Sequence, residues 1–525
     1  MPIDEESRSS EQSRSSLQEA VPVTRRSVAS SALWSGVSTL TSVPLLALTT
    51  VLLARILGAN GYGKLAVYGS LLTIIGGALE LDVSTSLLRR GALAASSGTQ
   101  SELLAAIRAG TTWALLQVPL NVGVSVVILP TWSSRLILIC ASIAGAAPVG
   151  ASHYLQMTSR LRLPSVMNAA SVTLKLLTVC SVGLLTHRAD LVFATSTLAT
   201  TCLTAFLFMG VPRELRKVIM RPGPLHLQKS DITFGVGNMV TGQLTGFAFS
   251  ETEVLFFKPA QSHARGVFAL AQTIGARTSL VPDAFLGTLS IGLTSAYGKG
   301  MARLRENYIL ATEATILVLV VFVPTALAAV AVLSGPLFGR DYHNLTPAAI
   351  LLAIAAFLQT GAGPIMSVQF AQKRAKAPIT AGAVSVGVDL ALAITLVHDM
   401  GLAGAVVANM ASSVIYVLLI SLMLTSSHQL RAIGMRYLLR VCALLIYSSL
   451  LAFILISLPS FLRIGVAIPT AILWTTLGLR LPLLRMADAE TFEAINLSLP
   501  LPLQQWLGRR WLRRVLGLPR SAPSL

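Results

Sequence analysis

The sequence predicts an all-α polytopic membrane protein of about fourteen transmembrane helices, built as two pseudo-symmetric six-helix lobes plus two extra C-terminal helices. Three observations predict it. Apolar runs of about 20 residues recur along most of the chain, each long enough to cross a hydrocarbon core of about 30 Å. Basic residues gather in every second connector, and a stretch near the start has an echo beginning at Val254. Composition agrees: 54% of residues are hydrophobic and 12% charged, where a soluble domain carries about a quarter charged. A membrane barrel would need shorter strands of alternating polarity.

Taken in order, residues 1–28 are rich in Ser, Glu and Arg, lack an apolar run and read as a disordered cytoplasmic tail. The next run has no cleavage site of small residues and reads as a retained first span. An N-lobe over 29–212 holds spans near 30–57, 65–87, 103–129, 135–156, 164–186 and 190–211. The basic connector 213–230 follows, then a C-lobe over 231–425 with spans near 231–257, 266–297, 308–334, 346–370, 378–398 and 402–424. A final pair lies within 436–480, at 437–457 and 461–479. The tail 486–525 groups Arg509, Arg510, Arg513 and Arg514 on one helical face, with Trp506 and Trp511 largely elsewhere. A cytoplasmic basic amphipathic helix on the inner leaflet is the expectation.

Charge fixes the topology. With Arg25 and Arg26 placed in the cytoplasm, about 30 of the 40 Lys and Arg residues fall inside, as the positive-inside rule requires. Losing or gaining one span scrambles the alternation. The net charge of +18 therefore reflects membrane topology, and nucleic acid is not an expected partner. The four cysteines all lie in apolar runs with no CxxC, which reads as packing. There is no P-loop, no GxGxxG in a strand–helix context and no HExxH, so ATP hydrolysis and metal catalysis have no residues to carry them. The longest connector is about 19 residues, whereas a membrane-embedded sugar polymerase or ligase needs a sizeable catalytic loop. No enzymatic activity is expected.

Val51–Gly69, VLLARILGANGYGKLAVYG, aligns with Val254–Gln272, VLFFKPAQSHARGVFALAQ. Arg55 faces Lys258, Gly63 faces Gly266 and Ala66 faces Ala269. Both copies follow an odd-numbered span, so the repeat is parallel and relates the lobes about an axis along the membrane normal. Two such bundles facing a cavity are what alternating access requires.

The stretch LLARILGANGYGKLAVYGSLLTIIGGALELDVSTSLLRRGA resembles the N-terminal signature of bacterial polysaccharide and O-antigen flippases, within the superfamily of MATE-type multidrug exporters and the lipid II flippase. HARGVFALAQTIGARTSLV, SVQFAQKRAKAPI and MGLAGAVVANMASSVIYVLLI are similar to that family's later segments. Two positions depart from it: Glu251 and Glu253 stand where the family often has Asp-Arg, and Val83 follows Asp82 where Gly is usual. The resemblance implies movement of lipid-linked oligosaccharide across the cytoplasmic membrane of a bacterium, with both termini cytoplasmic. It also implies membrane lipids and polysaccharide-assembly proteins as partners. A MATE-type multidrug exporter is the alternative.

Ionisable residues inside spans cost roughly 2.5–3.5 kcal/mol each at the centre of a lone helix, so they face a cavity or a partner. Lys175, Arg277, Asp283 and Asp389 are such residues. Lys175 and Arg277 suit a diphosphate or an acidic sugar, Arg through its two-pronged donor geometry. Buried Lys/Asp or Arg/Asp pairs that fix helix register are the other reading. Asp389 is a proton site or a pairing partner. Glu80, Asp82, Arg89 and Arg90 could form a cytoplasmic gate or cap a helix end. Glu251 and Glu253 could gate the opposite side, accept a coupling proton or simply be solvated at the interface, and Arg55 could snorkel outward. No cofactor is expected, and coupling to H⁺ or Na⁺ stays open. Pro282 should kink the long eighth span, and Pro44 the first.

Overall fold

The computed structural model describes residues 25–480, apart from 98, 159, 161, 226, 229–230, most of 233–251, 281, most of 284–299, 373–375 and 425–427. The expected tail up to residue 24, Glu251 and the C-terminal segment 486–525 lie outside the described residues. The regular structure among the described residues is all helical, as the sequence predicts. Among the described residues nine helices are long and apolar enough to cross a membrane, or ten when a pair bent by 41° counts as one span. Large apolar side chains face outward along them, among them Val127, Leu185, Ile394 and Phe453. Such surfaces are untenable in water and suit lipid, where a helix also satisfies its own backbone. The chain divides into two compact units, Met1–Gln243 and Leu244–Leu525.

In the first unit, α1 (Arg25–Glu80) is two helical segments meeting at a kink. The connection that the sequence places at 58–63 is a single residue, Gly58, at φ 63° and ψ 179°. Glycine adopts that conformation without the steric cost a Cβ brings. Helical geometry continues through Pro44, where a kink was expected. α2 (Val83–Ser97), α3 (Gln100–Ile128), α4 (Trp132–Ala146) and α5 (Val149–Met157) follow, with α4 and α5 forming the bent pair. Then come α6 (Arg162–Thr186), α7 (Ala189–Thr204) and the short α8 (Arg213–Met220). α1 packs on α6, α6 on α7, α7 on α4, α4 on α3 and α3 on α2, which closes a bundle.

The basic connector is not a plain loop. Its α8 buries Leu215 and Ile219 beside Leu103, Ile107, Tyr154 and Leu155, worth about 1.5–3 kcal/mol for each large aliphatic side chain. The Thr111 hydroxyl donates to the Ile219 carbonyl at 3.1 Å, and Thr112 exchanges hydrogen bonds with Gly223 at 2.8 and 2.9 Å. Four hydrophobic residues separated by charged ones are too few to read as a span, and the pattern fits a helix lying on the bundle.

In the second unit, α9 (Ser262–Thr278) is followed by α10 (Met301–Phe338), α11 (Leu345–Ala371) and α12 (Lys376–Leu392). α12 extends through a π-helical turn, Ala393–Val397. α13 (Leu402–Leu422), α14 (His428–Ser457) and α15 (Ser460–Arg480) complete the unit. α9 ends at Thr278, four residues before Pro282, where the proline ring crowds the preceding turn. Residue 281 and most of the rest of the expected eighth span lie outside the described residues. The C-terminal pair belongs to this unit: α14 and α15 both pack on α10. Arg440 donates to Glu313 in a buried ion pair, and Tyr447 stacks on Trp474 with centroids 4.7 Å apart.

Candidate functional site

A buried polar cluster lies in the second unit. Glu253 opens a short 3₁₀ turn, Glu253–Phe256, that packs on α13 and on the π-helical turn. Its side chain is 0% exposed, and its Oε1 accepts a 2.8 Å hydrogen bond from Asn409 Nδ2. Asp389, on α12 and also 0% exposed, faces Glu253 and the Ser412 hydroxyl. Neither Asp389 oxygen is held in a well-formed hydrogen bond. Serines knit the floor: Ser385 donates to the Ser412 carbonyl at 2.6 Å, and Ser412 and Ser413 both donate back to the Asn409 carbonyl. Gln359 on α11 donates to Ser413 at 2.8 Å.

The backbone here is built for close approach. A Cβ at Gly404 would stand 2.3 Å from the Leu396 carbonyl oxygen in the π-helical turn, so only glycine lets α13 meet α12 this closely. π-turns inside α-helices occur often at functional sites. Two acidic side chains facing each other in a buried site repel unless something positive lies between them. A proton or a small monovalent cation has the right charge, and the Asn409 carboxamide and the serines supply neutral oxygens around it.

Other charged residues fall elsewhere. Asp283 accepts from Thr360 Oγ1 at 2.7 Å and Ser279 Oγ at 2.8 Å, tying the end of α9 to α11. Arg277 is half-buried in the last turn of α9. Lys175 is exposed in the middle of α6, and Arg55 is exposed on the first segment of α1.

Glu80 ends α1, and the two residues after it, Leu81 and Asp82, both stand at φ 49°. Consecutive left-handed non-glycine residues cost roughly 1–2 kcal/mol each, so the break is held by its surroundings. Thr85 Oγ1 donates to Asp82 Oδ1 at 2.5 Å, which ties Asp82, the residue before α2, to the first turn of that helix. Arg89 is exposed. Arg90 forms an ion pair with Asp231 at 2.6 Å, a partner the sequence did not suggest. Ser86 Oγ and the Gln228 backbone N–H also donate to Asp231, which fastens the far end of the connector to α2.

Asn409 and Asp231 are the site residues that sequence reasoning missed. Asn409 left one signal, an amide in an otherwise apolar run, NMASS. Asp231 left none, because 141 residues separate it from Arg90.

These features define a helical membrane protein of two units, with a carboxyl-rich site buried in the second. No family model matches the sequence, and no curated protein matches it. Solved structures do resemble it. The eukaryotic MATE transporter AtDTX14 superposes with a TM-score of 0.56 at 13% identity, over 79% of this chain and 99% of that one. The lipid II flippase MurJ in an inward closed conformation superposes with a TM-score of 0.57 at 13% identity, over 85% of this chain and 99% of that one. The chain therefore has the fold these two transporters share.

Proposed function

We propose that this protein is a flippase that moves polyprenyl-diphosphate-linked oligosaccharide across the cytoplasmic membrane of a bacterium, for cell-surface polysaccharide synthesis, by alternating access. The observation that carries this reading is a cation on a helix of each unit, Lys175 in the middle of α6 and Arg277 in the last turn of α9, within a chain of this fold. A diphosphate headgroup needs cationic, forked donors, and an organic cation would be repelled by them. The likeness to the lipid II flippase covers 85% of the chain, and the helix pair α14–α15 adds to the resemblance with fourteen-span relatives.

The Glu253–Asp389–Asn409 cluster is the coupling site in this reading, taking a proton or Na⁺ from the gradient. A second reading, export of small organic cations of the MATE type, draws on the same buried carboxyls. A deletion strain separates the two. Lipid-linked sugar accumulating on the inner leaflet supports the flippase; normal export of every surface glycan together with altered drug sensitivity overturns it in favour of the exporter.

A further inference from the structure

Within the first unit, a pocket of about 280 Å³ opens among the second segment of α1, α3, α4, α5 and α7. Its polar wall is made of Gln117 and Asn121 on α3, Ser142 on α4, and Thr197 and Thr201 on α7. Gln117 and Thr197 lie in the central turns of α3 and α7, and no charged residue lines the pocket. Polar groups at such depth are costly unless a ligand or a partner answers them.

The pocket's donors and acceptors are sorted. Ser142 Oγ spends its proton on the Leu138 carbonyl at 3.0 Å, and Thr197 Oγ1 spends its own on the Phe193 carbonyl at 2.8 Å. Both oxygens keep lone pairs that can accept. Gln117 Nε2 is buried and meets no hydrogen-bond partner. The wall thus presents an uncommitted amide donor, acceptor hydroxyl oxygens and a second carboxamide, Asn121, that can do both.

We propose that this pocket binds an uncharged sugar ring of the transported glycan, an inference that rests on the flippase reading. Vicinal sugar hydroxyls each donate and accept, which is the pattern that carboxamides and helix-bound hydroxyls answer. A charged phosphate would find no counter-ion there. At about 280 Å³ the pocket falls just below the range of drug-sized ligand sites, about 300–1,000 Å³. It takes one residue of the glycan and leaves the rest outside.

The test uses the full chain in lipid nanodiscs and saturation-transfer NMR, with methyl β-glucoside and N-acetylglucosamine as neutral probes and choline as a charged control. The expected result is transfer to at least one neutral sugar and none to choline. Gln117→Leu, an apolar replacement that a membrane helix accepts, should reduce the transfer about fivefold, the worth of one neutral hydrogen bond. Gly76→Val provides a second variant. A Cβ at Gly76, which lines the pocket, meets nothing within 4 Å, so the larger side chain fills space without displacing the wall. It should lower the transfer at least as much.

No transfer to either sugar with the wild-type chain overturns the proposal, as does transfer that both variants leave unchanged. Measuring glycan export in the same strains separates this failure from that of the flippase reading. Wild-type export with no sugar signal removes the pocket alone, and unaffected export in the deletion strain removes the flippase.

Discussion

Replacing Arg440 with Met should lower the melting temperature of the full chain far more than removal of any exposed pair. Arg440 on α14 and Glu313 on α10 form an ion pair whose side chains are only 14% and 8% exposed. Removing the arginine strands the Glu313 carboxyl away from water, and breaking a buried pair on one side costs about 3–5 kcal/mol. For a unit of this size each kcal/mol moves the midpoint by about 2 °C, so a fall of about 6–10 °C is expected. The exposed Arg303–Glu306 pair, 68% and 63% accessible, is the internal control. Its Arg303→Met variant should move the midpoint by no more than about 2 °C, because exposed pairs contribute about 0–1 kcal/mol. Thermal unfolding in detergent, followed by tryptophan fluorescence, reads both. The double variant Glu313→Gln/Arg440→Met should recover a good part of the loss, since both charges leave together. Equal small shifts for the two single variants would refute the idea that this pair fixes α14 to the unit.

Further outcomes follow from the other sites. Asp231→Asn removes the partner of Arg90 and should raise tryptic cleavage within 213–230 severalfold on a gel time course, while unchanged cleavage would mean that α8 alone holds the connector. Gly404→Ala forces a Cβ against the Leu396 carbonyl and should lower export and melting temperature together; a fully stable, active variant would refute the close approach. Asp389→Asn and Glu253→Gln should each abolish gradient-dependent transport in vesicles while the chain still inserts. Gradient dependence surviving in both would move coupling away from this cluster. Arg277→Ala should abolish export with normal insertion, and wild-type export would return Arg277 to a structural role.

The fold was largely legible because helix length and apolarity are local properties. Runs such as 164–186 and 402–424 lie within a few residues of α6 and α13, since the same twenty residues that exclude water form the helix. Tight packing was not legible. Gly58 joins two helices with one residue because a single left-handed glycine suffices, and α8 hides in a basic connector because only Leu215 and Ile219, about one residue per turn, are buried against the bundle. At the candidate site, Glu253 and Asp389 stood out as acids in apolar surroundings. That they face each other, with Asn409 hydrogen-bonded to Glu253 across 156 residues of chain, is tertiary information that one sequence does not carry. The same limit explains Arg90, which pairs with a residue past the connector, 141 positions away.

The most direct test of the central claim is reconstitution of the purified full chain into proteoliposomes holding a short-chain polyprenyl-diphosphate sugar in both leaflets. Accessibility of the sugar to an external lectin reports its movement. The account predicts that the wild-type chain equilibrates the lipid between leaflets far faster than empty liposomes do, and that Arg277→Ala does not. Rates equal to those of empty liposomes, alongside uptake of a small organic cation by the same vesicles, would contradict it.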